Sequence, residues 1–225
     1  MSPPLMLPRT PEPEVMDSTE EAAAYDAMDH RAVNDRFVDD LLAVHPYPRR
    51  VLDLGAGTGL IPIVLAARTP HATVAAVDLA ASMLRRAGEN VGRAGLAHRI
   101  ALVVTDVRAL PWKAGDFDVV MSNSLAHHLP DPGVLFRAVA SLADEKTTIF
   151  LRDLSRPSSA DEVDQLVERY AGSDPPLART LFRASLHAAL TVEEVRLLAR
   201  ANGLGDAKIE ATSDRHWTLT RPAAR

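Results

Sequence analysis

Between residues 50 and 154, short apolar runs alternate with segments whose apolar residues recur at helical spacing. The runs at 50–54, 72–78, 99–106, 117–123 and 147–154 have the length and continuity of strands buried on both faces. Helical patterns occupy 60–68, 80–95 and the neighbourhood of 132–142, and Pro62 is compatible with the first of them because it falls in its first turn. Strands alternating with helices at this spacing predict a parallel sheet with helices on both faces.

The flanks read differently. Residues 18–44 turn helical: Ser18 followed by Glu21 is a capping-box signature, Phe37, Leu41 and Val44 share one face, and His45-Pro46-Tyr47-Pro48 ends the pattern. Beyond Ser155 two amphipathic helices, 158–171 and 175–188, are joined by GSDPP, and a further helix, 191–202, opens with the capping box Thr191/Glu194 and closes at Gly203. AKIEAT and HWTLTR then predict a terminal antiparallel hairpin over 206–221. The first thirteen residues hold five prolines, which predicts an extended or disordered tail over 1–17. The expected organisation is that tail and one domain, 18–225, in which the change of rhythm at 155 marks a helical insertion rather than a second domain.

Composition narrows the chemistry. The chain has 225 residues, 47% of them hydrophobic, enough for one good-sized core. A net charge of −5 with no basic run argues against a nucleic-acid partner. The absence of cysteine excludes disulfides, thiolate metal sites and a cysteine nucleophile. The start has no apolar signal-peptide region, and no apolar stretch is long enough to span a bilayer, so a soluble cytoplasmic protein with no membrane partner is expected. Nothing in the sequence sets the oligomeric state.

RVLDLGAGTGLIPIVLA carries Gly55, Gly57 and Gly59 at alternate positions between strand and helix, with Asp53 just before them. In an open α/β sheet, ligands bind beyond the carboxyl ends of the strands. Those ends also carry Asp78, Asp106 and Asn123. A dinucleotide fingerprint requires a glycine where Leu60 stands, and a Walker loop requires a lysine that is missing.

DLGAGTG closely resembles the first motif of the class I S-adenosylmethionine-dependent methyltransferases, and the resemblance continues through VDLAASML, TDVRALPW and FDVVMSNSLAHHLPDP. It covers about residues 50–154. It implies a Rossmann-like, seven-stranded, mostly parallel sheet with a C-terminal antiparallel hairpin, under an N-terminal helical lid spanning 18–48. S-adenosylmethionine is the implied cofactor. Gly55, Ala56, Gly57 and Gly59 would let the backbone pass its aminocarboxypropyl chain, with Asp53 beside that end and Tyr25 reaching its carboxylate. The resemblance gives Asp78 the ribose hydroxyls, Leu79 and Met83 the adenine faces, and Asp106 with the Val107 N–H the adenine edge, Asn123 completing the rim.

Methyl transfer from a sulfonium is an in-line displacement that needs a base only when the acceptor keeps its proton. His127 and His128 follow the fourth strand and are the candidates for that role, or else pack the turn; about 100° apart on a helical turn, one at most is expected to face the pocket. His30 on the lid, and Arg152 and Asp153 at the end of the fifth strand, could orient a polar acceptor, although Arg152 and Asp153 could equally form a surface ion pair. His216 beside Trp217 reads as hairpin packing. No two histidines have i, i+4 spacing, so no metal is expected. A small-molecule acceptor is the leading expectation. The Asn/Asp-Pro-Pro-aromatic motif of amino-methyltransferases acting on bases is absent, SNSLAHHL standing in its place. A protein or RNA substrate, or a cofactor-binding relative without catalysis, are the alternatives.

Overall fold

Apolar runs buried on both faces must be covered by helices on both sides, and the computed structural model, which describes residues 7–12, 26 and 31–224, has that layering. The described elements are α1 (Arg31–Val44), β1 (Arg50–Leu54), α2 (Leu60–Arg68), β2 (Thr73–Asp78), α3 (Ala81–Arg93), β3 (Ile100–Val104), β4 (Val119–Asn123), a 3-10 turn (Ala126–His128), α4 (Gly133–Leu142), β5 (Thr148–Leu154), α5 (Ala160–Ala171), α6 (Pro176–Ala188), α7 (Val192–Ala201), β6 (Lys208–Ala211) and β7 (His216–Arg221). They form one seven-stranded sheet in the order β3-β2-β1-β4-β5-β7-β6. The first five strands are parallel, and β7 runs antiparallel to both β5 and β6.

Successive strand residues point to opposite faces, and the core divides accordingly. Leu52, Val120 and Ile149 join Phe136, Val195 and Trp217 on the side covered by α4 and α7. Val51, Met121 and Phe150 join Phe37, Leu41 and Leu65 on the side covered by α1 and α2. Phe37 meets Phe150 edge to face with centroids 5.0 Å apart, which seats α1 on the middle of the sheet. The chain leaves β1 toward β2 and β3, then returns to β4 on the other flank. The crevice beyond the carboxyl ends of β1 and β4 is therefore the switch point.

The helical pair α5–α6 has its own small core of Leu154, Val163, Leu166, Val167, Leu186 and Ala189, as an insertion would. The Thr191/Glu194 capping box is formed. The helix expected from Ser18 is seen from Arg31 onward; Ser18, Glu21, Tyr25 and His30 lie outside the described residues.

One expectation is corrected. Residues 7–12, assigned to a disordered tail, are docked: Leu7 packs on the α5–α6 core, its amide donates to Ser158 (3.2 Å), and the Thr10 amide donates to His187 (3.0 Å). The Arg9 guanidinium donates to the carbonyls of Ala188 (2.6 Å), Leu129 (2.9 Å) and His127 (3.2 Å). Prolines hold such a segment extended, and the residues between them supply the bonds. Among the described residues no helix is long and apolar enough to cross a membrane.

Candidate cofactor site and histidine turn

Gly55, Gly57 and Gly59 all have φ in the left-handed region, at 74°, 54° and 76°. Their reasons differ. A Cβ on Gly55 would lie 3.0 Å from Leu125, and one on Gly59 would lie 3.1 Å from Ala87, so these two glycines let the turn after β4 and helix α3 pack close. A Cβ on Gly57 would meet nothing within 4 Å. Its bare backbone faces open space at the switch point.

Asp78 holds that stretch in place. Its Oδ2 accepts from the Gly57 amide at 2.8 Å and its Oδ1 from the Ala80 amide at 2.9 Å, tying the glycine loop to the start of α3. Burial pushes the Asp78 carboxyl up, against the lowering effect of those amides and of nearby His128. Each carboxylate oxygen retains a lone pair for a further donor. Leu79, 50% exposed, and Val104, 57% exposed, leave apolar side chains in water on either side of it, while Met83 is buried. Asp106 accepts from the Arg108 amide at 2.8 Å and from its guanidinium at 3.2 Å, and Val107 packs against the core. This Asx turn ends β3 two residues earlier than the apolar pattern suggests. Asn123 donates to Ser124 (3.1 Å), whose own φ of 57° makes a sharp bend after β4.

The bend leads to the two histidines. His127 is buried, its Nδ1 lying 2.5 Å from Asp153, whose other oxygen accepts the His127 amide at 3.2 Å. Burial opposes charge on both partners, yet their mutual attraction prevails, holding His127 above and Asp153 below the ordinary value. His128 Nδ1 lies 2.7 Å from Glu12 Oε2, and Ser185 donates to Glu12 Oε1 at 2.7 Å. The two ring centroids lie 4.0 Å apart, with His127 buried and His128 partly exposed. Asp153 holds one ring and Glu12 the other, and the two rings are tilted by 38° to each other. One donor atom from each of Glu12, His127 and His128 lies within 4.8 Å of the others. The expectation of no metal-ligating cluster considered only spacing along the chain, and Glu12 arrives from the far end.

Arg152 and Asp153 are separated by the pleat. Asp153 faces His127, whereas Arg152 is buried on the α1 side, donating to Asp40 (2.7 Å) and Thr218 (2.9 Å) with its guanidinium 5.4 Å from the Phe150 ring centroid. They form neither a surface pair nor a joint acceptor clamp. Arg152 lines a cavity of about 230 Å³ with Arg36, Asp40, Tyr170, Arg215 and His216. Burial, with Arg215 and Arg152 nearby, pushes His216 down to about 4, while Trp217 is fully buried as hairpin packing. Asp26, also missed in the sequence, accepts from Asn90 (2.8 Å) and Arg86 (2.7 Å) on α3, and the same Asn90 donates to the Thr58 carbonyl of the glycine loop (2.9 Å).

Asp53, 2% exposed beneath the loop, is pushed up to about 8 by burial and by Asp78. Its folded pKa lies above its unfolded value of 3.8, so from roughly pH 4 to pH 8 the native state keeps a proton that the unfolded chain has lost. This contribution to stability is greatest below pH 4 and declines as pH rises toward 8. Thermal unfolding across pH 5–8.5 should show Asp53→Asn gaining on the parent chain as pH increases; parallel curves would mean that Asp53 is ionised in the fold.

Residues 51–145 match the family model for a methyltransferase domain. The chain is 42% identical over 105 residues to a malonyl-[acyl-carrier protein] O-methyltransferase of Geobacter sulfurreducens, covering 46% of this chain and 38% of that protein. It is 41% identical over 76 residues to a tRNA1(Val) (adenine(37)-N6)-methyltransferase of Glaesserella parasuis, covering 33% and 32%. It thus spans about a third to two-fifths of the length of these curated relatives. Among solved structures, an S-adenosylmethionine-dependent methyltransferase from Aquifex aeolicus shares the fold with a TM-score of 0.67 at 15% identity, over 90% of this chain and 97% of that one. The plantazolicin methyltransferase BpumL, solved with S-adenosylhomocysteine and a monoazolic desmethylPZN analog, does so with a TM-score of 0.67 at 16% identity, over 90% of each chain. Residues 51–145 thus match a methyltransferase domain, within a chain that shares the fold of S-adenosylmethionine-dependent methyltransferases along nine-tenths of its length.

Proposed function

We propose that this chain transfers the methyl group of S-adenosylmethionine to a small-molecule acceptor by in-line displacement. The observation that carries the reading is the open space over Gly57 beside the Asp78 carboxylate. A ligand with no phosphate, a pair of ribose hydroxyls and a flat aromatic base fits a loop without lysine, a carboxylate with lone pairs to spare, and two exposed apolar side chains. In this reading Asp78 takes the ribose hydroxyls, Leu79, Met83 and Val104 flank the adenine, and Asp106 with the Val107 amide takes its edge. Gly55, Ala56, Gly57 and Gly59 pass the aminocarboxypropyl chain near Asp53, and Asn123 borders the methyl. Tyr25 and His30 keep their expected roles, at the cofactor carboxylate and the acceptor.

Bound, the cofactor supplies a methyl on a positively charged sulfur. The chain aligns the acceptor and keeps water out, which can supply much of the acceleration. Leu125, at the head of the histidine turn, packs against Gly55, so the turn adjoins the cradle. His127, oriented by Asp153, or His128 beside it takes the proton of an acceptor that still carries one.

A small acceptor is supported by the net charge of −5 and by the segments gathered over the turn, residues 7–12 and α6. The relatives named above act on a malonyl group carried by a protein and on a tRNA base, but the chain spans only 38% and 32% of their lengths, which does not bring either acceptor with it. A single domain over 18–225 and a cytoplasmic location belong to the same proposal.

Calorimetry should find binding of S-adenosylhomocysteine, with Asp78→Ala weaker by about 1–3 kcal/mol, the scale of hydrogen bonds to a charged acceptor; unchanged affinity in a folded variant would remove Asp78 from the site. Once an acceptor is found from a metabolite panel, His127→Ala should cut turnover by about 10²- to 10⁴-fold with cofactor affinity near that of the parent. Full activity in both His127→Ala and His128→Ala would leave alignment alone as the mechanism.

A further inference from the structure

The histidine turn holds more than acid–base catalysis requires. We propose that Glu12, His127 and His128 form a binding site for one divalent transition-metal ion, zinc by the chemistry of its donors.

The donor set is the first ground. Two imidazoles and one carboxylate are a zinc ligand set that leaves a fourth position open. Here they stand within 4.8 Å of one another across a separation of more than a hundred residues. Glu12 Oε2 and His128 Nδ1, now 2.7 Å apart in a direct contact, need to part only to about 3.3 Å, the edge of a tetrahedron with bonds of about 2.0 Å.

The second ground is the support behind the donors. Ligating histidines commonly give their other ring nitrogen to a carboxylate, and ligating carboxylates are themselves hydrogen-bonded. Asp153, 1% exposed, holds His127 Nδ1 and leaves Nε2 as its free donor. Ser185 holds Glu12 Oε1 and leaves Oε2. Asp153 is in turn fixed by the amides of His127 (3.2 Å) and Leu154 (2.6 Å). Arg9 spends its hydrogen bonds on backbone carbonyls, anchoring the segment that carries Glu12 while leaving its carboxylate available.

Charge supplies the third ground. Two carboxylates, Glu12 and Asp153, enclose two rings whose centroids are 4.0 Å apart. A divalent cation between neutral rings balances both acids. It also fastens residues 7–12 to the turn after β4. With both imidazoles committed to an ion, neither histidine would accept the acceptor's proton; an acceptor hydroxyl in the open position would instead have its pKa lowered by the ion and release that proton to water. Metal binding itself does not rest on methyl transfer.

The test uses the full chain, stripped with a chelator and titrated with Co(II) and then Zn(II) in the absence of cofactor. One Co(II) per chain should bind with the visible d–d bands of a four- or five-coordinate ion, and Zn(II) should displace it. Glu12→Gln and His128→Ala should abolish the bands, and Asp153→Asn should weaken the affinity by about 10- to 100-fold. Melting curves establish that each variant is folded. If Asp153→Asn fails to fold, Glu12→Gln and His128→Ala, at the two less buried positions, carry the test alone. No stoichiometric binding to the parent chain, or binding that survives both Glu12→Gln and His128→Ala, overturns the proposal. Because no turnover is measured, that failure would leave the methyltransferase reading intact.

Discussion

A parallel sheet covered by helices on both faces has one place for polar chemistry, the ends of its strands. In this chain β4 and β5 are buried almost throughout, and β1 is buried from Val51 onward. The acids that matter stand at or next to the carboxyl ends: Asp53 and Asp78 under and beside the glycine loop, and Asp153 near the end of β5. Burial makes each costly to ionise, so each must find donors or keep its proton. Asp78 finds two amides and fixes the loop, Asp153 finds a histidine and fixes the turn, and Asp53 is pushed toward its neutral form. The cradle and the histidine turn are two answers to the same constraint, joined where Leu125 fills the space that Gly55 leaves.

What was legible in the sequence follows from how local its cause is. The strands, the α/β alternation, the terminal hairpin and the Thr191 capping box depend on spacing within a few residues, and all are present. The glycine-bearing turn between strand and helix was readable for the same reason. That only Gly57 faces open space was not readable, because Leu125 and Ala87, which occupy the other two positions, come from later elements. Arg152 and Asp153 show the limit from the other side: the pleat alone predicts that they diverge, but adjacency invites pairing them. Their true partners, Asp40 and His127, are set by the sheet order.

The proline-rich start is the largest departure. Its composition has the signature of a tail, and within a short window nothing distinguishes a free segment from one that docks. The difference lies in carbonyls offered by the histidine turn and by the end of α6, which Arg9 gathers. Docking puts Glu12 against His128 and makes the turn a site with two acids rather than one. The docked segment thus adds contacts to the turn from outside residues 51–145, the span that matches a methyltransferase domain.

The central claim is that the rim formed by the ends of β1, β2 and β3 holds the adenosyl cofactor. Hydrogen exchange with and without S-adenosylhomocysteine tests it most directly. Added ligand should slow exchange at residues 55–60, 78–83 and 105–109, where the amides of the loop, the start of α3 and the Asx turn become covered. Unchanged exchange in all three segments, or protection confined to the Arg152 cavity, would contradict the account.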